Sequence, residues 1–175
     1  MVASAGRVRG YASRFGAVDR GGDVVVPGAF ARSLAHLAET GRRVAFLWQH
    51  DPARPIGVWD RVVEDDTGLL CEGRLLDGVE AGREATALMA AGALDGLSIG
   101  YRVVRAEKGP RGQGRRLLEI DLWEVSLVTF PMLSTARAGL VEASPPGGGR
   151  ETRAALAAAL AGALGDRART EEAGS

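Results

Sequence analysis

Ser98 and His50 are the two side chains of this sequence whose types could together carry out acyl transfer. A serine hydroxyl becomes a good nucleophile only when a base removes its proton, and histidine is the usual base near neutral pH. His50 lies two residues after a hydrophobic stretch at 44–48 that is typical of a buried strand. Functional residues concentrate in loops at strand ends. Because the two residues are far apart in the sequence, only tertiary folding can bring them together.

The segment around Ser98, GLSIG at 96–100, matches the G-x-S-x-G pattern of the nucleophile elbow in α/β-hydrolases. An elbow needs a strand before the serine and a helix after it. Here a helical pattern precedes the serine and β-branched residues follow it. The elbow triad also places its histidine after the serine, whereas His36 and His50 both precede Ser98. The order of elements and of residues therefore excludes the α/β-hydrolase interpretation.

A catalytic triad also needs a third group that orients the histidine. The candidates for this role are Asp51, Asp60, Asp121 and Glu124. Their spacing alone does not choose among them, so this role stays open at the level of the residues.

Each candidate also has a purely structural interpretation. His50 could be an ordinary surface-loop histidine, and Ser98 an ordinary serine at a strand entry. His36 is spaced so that it points away from the apolar face of its predicted helix, which favours a solvated position. Cys71 lies within an apolar strand pattern and is typical of a packing residue.

Hydrophobic patterning predicts a mixed α+β body of about seven strands and two helices. The strands are expected at 8–15, 44–48, 56–63, 69–75, 97–105, 116–128 (with a break near Trp123) and 138–141, and a short β-branched run at 24–26 leads into Pro27. One helix is expected to start at Pro27 and end before Gly41, and the other to cover 79–91. The segment 49–55 contains two prolines and is predicted to be a loop. Strands and helices do not alternate strictly, which disfavours a doubly wound parallel sheet.

The composition changes at Ser144, where SPPGGG is typical of a linker and is followed by an alanine-rich stretch. We therefore expect a body at 1–143 and an appended tail at 144–175.

Charge and cysteine content exclude several classes of protein. The 22 basic residues balance the 22 acidic residues among 175, which argues against a generic nucleic-acid binder. A single cysteine excludes an internal disulfide and argues against a thiolate zinc site. No apolar run reaches about 18 residues, so we expect no membrane partner.

Four blocks in the same order resemble the prohead proteases of HK97-type tailed phages. The blocks are GYASRF to PGAF at 10–30, LWQHD with PIG at 47–57, DGLSIGY at 95–101 and WEVSLVTFP at 123–131. The compact, arginine-rich form also resembles the version found in bacterial gene transfer agents.

This resemblance implies a serine endopeptidase that cleaves the major capsid protein's scaffold segment, or a separate scaffold protein, and often itself. It implies a mostly antiparallel β-barrel flanked by helices, as in herpesvirus assembly proteases. It places the enzyme inside the immature capsid in the host bacterial cytoplasm. It implies no cofactor and no metal, and it leaves a homodimer open because the herpesvirus relatives act as dimers.

The motifs imply Ser98 as the nucleophile, His50 as the base and Glu124 as the orienting acid. Herpesvirus assembly proteases use a second histidine as the third member, for which His36 is the candidate here. Two alternatives remain: a capsid or scaffold component that kept the fold and lost activity, and an esterase using the same pair. The intact Ser98 and His50 argue against the first.

Overall fold

The computed structural model describes residues 6–110 and 114–141, which form eight strands and two helices. The strands are β1 (Arg7–Arg14), β2 (Val24–Val25), β3 (Ala45–Trp48), β4 (Asp51–Glu64), β5 (Gly68–Leu75), β6 (Gly96–Lys108), β7 (Arg115–Val128) and β8 (Ala138–Val141). The helices are α1 (Ala31–Glu39) and α2 (Glu80–Ala90). The predicted tail at 144–175 and its boundary lie outside the described residues, so that division stays a prediction.

All eight strands belong to one sheet, and β7 organises it. One edge of β7 pairs antiparallel with β6 along almost its whole length. Its other edge pairs parallel with β2 at one end and with β3 at the other. The sheet continues from β3 through β4, β5 and β1 to β8, and every one of these pairs is antiparallel. The expected α+β class and the mostly antiparallel sheet are confirmed.

The expected closed barrel does not form. Within the described part of the chain, no ladder joins β6 to β1 or β8. Instead, the segment before β8 lies between them, held by an isolated bridge between Gly96 and Arg137 and by backbone hydrogen bonds such as Tyr11 N–H to Arg137 O at 3.1 Å. The sheet stays open because an irregular segment, and not a strand, occupies the closing position.

The proline at 27 does not begin a helix as predicted. Val26 O accepts the N–H of Ala29, so residues 26–29 form a β-turn. Its two central residues are Pro27 and Gly28, and Gly28 has φ +86°. This is the residue order that a type II turn favours. Helix α1 begins after Phe30, whose backbone N–H is bound by the Glu64 carboxylate at 2.9 Å. The helix ends are as expected, since the glycines at 41 and 92 both have positive φ.

Two further expectations about strands were wrong. The loop predicted at 49–55 is mostly strand, because β4 already begins at Asp51 and its two prolines lie where the β3–β4 register shifts. Proline is tolerated at such irregularities because no ladder hydrogen bond depends on its missing N–H. The strand β7 also runs unbroken through Trp123.

The core lies against β7 and its neighbours. Phe46 of β3 stacks on Trp59 of β4 with ring centroids 3.8 Å apart, and the Trp59 indole N–H donates to Val125 O. Cys71 is fully buried, and its desolvation raises the pKa of the thiol far above its usual range. This packing supports the pairing of β3 with β7, and the candidate site begins at Gln49, the residue that follows β3.

Candidate active site

His50 lies in a two-residue turn between β3 and β4 that has an uncommon backbone conformation. Gln49 has φ 52° and His50 has φ 63°, so both non-glycine residues occupy the left-handed region. Two such residues in succession form the type I′ turn that two-residue hairpins favour. Strained backbone of this kind persists only where its surroundings hold it, and it is enriched at functional sites.

Contacts from Gln49 hold this turn against the end of β7. The Gln49 N–H donates to Leu127 O at 3.0 Å. The Gln49 side chain donates to Thr129 Oγ1 at 2.8 Å and accepts the Thr129 N–H at 3.3 Å. The turn that carries His50 is therefore attached through its backbone to β7 and through its side chain to Thr129, the residue that follows β7.

The His50 ring is paired with a carboxylate of β7. Its Nδ1 lies 2.5 Å from Glu124 Oε1. The Glu124 side chain is only 11% exposed, whereas the His50 side chain is 42% exposed. The hydrogen bond that the His50 ring donates to the Glu124 carboxylate raises the pKa of His50 above its usual value, and partial burial opposes this shift. With Nδ1 engaged by Glu124, the second ring nitrogen, Nε2, is left to exchange protons with other groups.

Ser98 lies on β6, the strand on the other side of β7 from His50. In the β6–β7 register Ser98 is opposite Ser126, and Gly100 is opposite Glu124. Directly opposed residues of an antiparallel pair project from the same face of the sheet. The side chains of Ser98, Ser126 and Glu124 therefore share one face, which is the face that the His50 ring meets.

The Ser98 hydroxyl is buried and forms no hydrogen bond with any described residue. The expected direct contact between His50 and the Ser98 oxygen is thus not present as a hydrogen bond. Ser98 also lines a small cavity of about 60 Å³, whose polar lining includes Arg14 and Asp19. In free enzymes, catalytic hydrogen bonds are often long and tighten only with substrate bound.

Close packing explains both glycines of the GLSIG segment. A side-chain carbon at Gly100 would overlap the Glu124 carboxylate, and one at Gly96 would overlap the backbone oxygen of Val128. The glycines let the backbone approach β7 closely and leave space for the carboxylate. The G-x-S-x-G match therefore reflects packing within a strand, and the rejection of the elbow interpretation agrees with the β-structure on both sides of Ser98.

The structure distinguishes the four acidic candidates. Glu124 contacts His50, whereas Asp60 pairs with Arg74 and Asp121 pairs with Arg102. Asp51 accepts the backbone N–H of Ala53.

The candidate second histidine, His36, is exposed on α1 and lies apart from the His50–Glu124 contact. The residue that sequence reasoning missed is Ser126, which bonds to both His50 and Glu124. The signal for it was the alternation in WEVS, which places residues 124 and 126 on one face of a strand.

Within residues 6–110 and 114–141, no cluster of three or more histidine, cysteine, aspartate or glutamate side chains could hold a metal ion. Neither helix in this part of the chain is long and apolar enough to cross a membrane.

A mostly antiparallel sheet that brings a histidine–carboxylate pair beside a buried serine has the parts of a serine hydrolase site. Residues 2–145 match the family of caudovirus prohead serine proteases, and the chain belongs to that family. The finer assignment to the gene transfer agent form stays a prediction.

Curated relatives agree with this membership. The chain is 36% identical over 128 residues to the prohead protease of Enterobacteria phage HK97, covering 72% of this chain and 56% of that protein. It is 30% identical over 125 residues to the prohead protease of Escherichia phage T5, covering 71% and 58%. It is 32% identical over 119 residues to the capsid polyprotein of Pseudomonas phage PAJU2, covering 65% and 17%. The chain thus spans little more than half of either protease.

Solved structures show the same fold at low sequence identity. The capsid assembly protease of bacteriophage T4 matches with a TM-score of 0.56 at 11% identity, covering 70% of this chain and 81% of that one. The KSHV protease matches with a TM-score of 0.50 at 13% identity, covering 80% and 66%. The expected relation to the herpesvirus assembly protease fold is confirmed.

Proposed function

We propose that this chain is a serine endopeptidase that cleaves capsid or scaffold protein during maturation of a phage-like prohead. The observation that carries the proposal is the His50–Glu124 pair on the face of the sheet that also bears Ser98, in a chain of the prohead protease family. The proposed roles are Ser98 as nucleophile, His50 as base and Glu124 as the acid that orients His50.

The proposed reaction is acyl transfer in two steps. His50 Nε2 takes the Ser98 proton as the oxygen attacks the scissile carbonyl, and the proton passes to the leaving amine as the peptide C–N bond breaks. A water molecule then attacks the Ser98 ester, giving its proton to His50, and Ser98 regains a proton as the acid product leaves. Glu124 stabilises the charged imidazole that forms in each step.

Capsid protein is the proposed substrate. Prohead and capsid assembly proteases are the named relatives, and a segment similar to this chain forms part of a polypeptide named a capsid polyprotein. We further propose that the enzyme acts inside the immature capsid and also cleaves itself. A homodimer remains part of the proposal because of the resemblance to herpesvirus proteases.

A peptidyl phosphonate probe tests the nucleophile directly. The wild-type chain is incubated with the probe, digested and mapped by mass spectrometry, and the phosphonate is expected on Ser98. The matched control is Glu124→Gln, which should be labelled far more slowly at the same site. Labelling on Ser126 would assign the nucleophile to the neighbouring strand, and no labelling would favour an inactive assembly component.

Incubation with the capsid precursor tests the substrate. Cleavage of the precursor at a defined site, absent in Ser98→Ala, is the expected result. Hydrolysis of small esters without cleavage of the precursor would favour the esterase alternative and contradict the proposal.

A further inference from the structure

Ser126 is a buried serine whose hydroxyl bonds to both members of the His50–Glu124 pair. It is completely inaccessible to solvent and lies on β7 two residues after Glu124. Its Oγ donates to Glu124 Oε2 at 2.6 Å and accepts the backbone N–H of His50 at 3.1 Å. A hydroxyl has one proton to donate, so Ser126 has none for Ser98, the residue opposite it across the ladder.

These two contacts fix both members of the acid–base pair. Glu124 is held through both carboxylate oxygens, with His50 on Oε1 and Ser126 on Oε2, so it cannot rotate without losing both partners. The length of 2.6 Å is typical of a hydroxyl donating to an ionised carboxylate. The bond to the His50 N–H holds the residue whose φ of 63° is unfavourable for a non-glycine residue.

Resting on the proposed function, we propose that Ser126 is a positioning residue that aligns the His50 base and the Glu124 acid through its one hydroxyl. It does not touch the reacting atoms. Its effect on the reaction is transmitted through the orientation of the imidazole, which has to be correct within a fraction of an ångström for efficient proton transfer.

Ser33 provides a matched control. It is also buried, and its Oγ accepts a backbone N–H of the same strand β7, that of Leu122, at 2.9 Å. Ser33→Ala therefore removes one buried hydroxyl and leaves one backbone N–H without its partner, as Ser126→Ala does. Only Ser126→Ala also frees a carboxylate oxygen of Glu124.

The experiment uses the full chain and two measurements. NMR titration follows the His50 ring, and the same titration of the wild-type chain is the reference. Steady-state kinetics on a peptide spanning the capsid cleavage site gives kcat and KM. In Ser126→Ala, kcat should fall by about 10- to 100-fold with KM unchanged, and the pKa of His50 should fall toward its usual value. In Ser33→Ala, kcat and the His50 titration should remain as in the wild type.

An unchanged His50 titration in a folded Ser126→Ala variant would overturn the proposal, as would a kcat equal to that of Ser33→Ala. If Ser126→Ala does not fold, Ser126→Cys keeps a weaker donor in nearly the same shape and should give an intermediate loss. A wild-type chain that cleaves nothing would contradict the proposed function. The NMR titration would still decide whether Ser126 sets the acid–base pair.

Discussion

The two ends of the β6–β7 hairpin belong to one ladder, but polar side chains are exposed at one end and buried at the other. At the end distant from the turn that carries His50, Arg116 and Glu107 pair across the strands at the surface, and Arg102 pairs with Asp121 in the same way near the middle of the ladder. At the other end, Ser98, Glu124 and Ser126 are buried. Exposed pairs contribute about 0–1 kcal/mol each, whereas a buried polar group without a partner costs about 1–3 kcal/mol.

The two ends of β7 also differ in the strand that pairs with each of them. The exposed end of β7 is paired with the two-residue strand β2, while the buried end is paired with β3 and contacted by the strained turn that follows it. Three polar side chains are tolerated there because the turn supplies partners for Glu124 and Ser126. The Ser98 hydroxyl has no hydrogen-bond partner among the described residues.

Ser98→Ala should produce the largest difference between the two ends. Loss of the nucleophile should reduce cleavage of the capsid precursor by on the order of 10⁴-fold or more. Because the removed hydroxyl has no partner, the melting temperature should be unchanged or higher. The two readouts are precursor cleavage on gels and thermal unfolding. Normal cleavage by this variant would remove Ser98 from the proposed role.

Glu124→Gln should have the next largest effect. The amide has nearly the same shape but cannot stabilise a charged imidazole, so kcat should fall by about 10³- to 10⁴-fold. The control is Asp121→Asn on the same strand, whose partner is the exposed Arg102, and its kcat should equal that of the wild type. An equal loss of kcat in both variants would show that any substitution in β7 lowers activity, and would contradict a specific role for Glu124.

Gly100→Ala should disturb the site through shape alone. The added carbon would overlap the Glu124 carboxylate and displace it from His50. We expect a loss of about 100-fold in kcat and about 1–3 kcal/mol in the free energy of unfolding. Gly139→Ala in β8 is the control, because a carbon there meets no atom within 4 Å. A fully active Gly100→Ala enzyme would contradict the observed packing.

The pH dependence follows from the direction of the His50 shift. Glu124 raises the pKa of His50, and a base has to be neutral to act, so kcat/KM should fall with decreasing pH around a midpoint above 6.5, the usual value for histidine. In Glu124→Gln the midpoint of the remaining kcat/KM profile should move to lower pH, because the charge that raises the pKa of His50 is gone. The His50–Glu124 pair stabilises the folded state fully below the pKa that His50 has in the unfolded chain. This stabilisation is lost as the pH rises through the higher pKa of His50 in the folded chain. A wild-type midpoint below 6.5 would contradict the pairing.

Arg116→Gln should have the smallest effect. It removes an exposed pair with Glu107 at the other end of the hairpin, so the free energy of unfolding should change by about 0.5 kcal/mol or less. Cleavage should be unchanged. Denaturant unfolding and the precursor assay measure both, and a large loss of activity would show that the two ends are coupled.

Local patterns in the sequence were sufficient for most elements and for the candidate residues. Alternating and helical hydrophobic spacing located the strands and both helices, and the glycines at 41 and 92 marked the helix ends. Those features depend on neighbouring residues. The residue types alone also identified Ser98 and His50 as a candidate pair, because few side chains can supply a nucleophile and a base.

Contacts between segments that are distant in the sequence determined the composition of the candidate site and the closure of the sheet. Which of four acidic residues meets His50, and the part taken by Ser126, depend on how β3 and β6 pair with the two edges of β7. The strand through 51–55 and the open sheet likewise depend on register shifts and on the segment before β8. Composition and spacing do not encode strand partners separated by tens of residues, because burial and hydrogen bonding across the sheet select them only when the whole chain has folded.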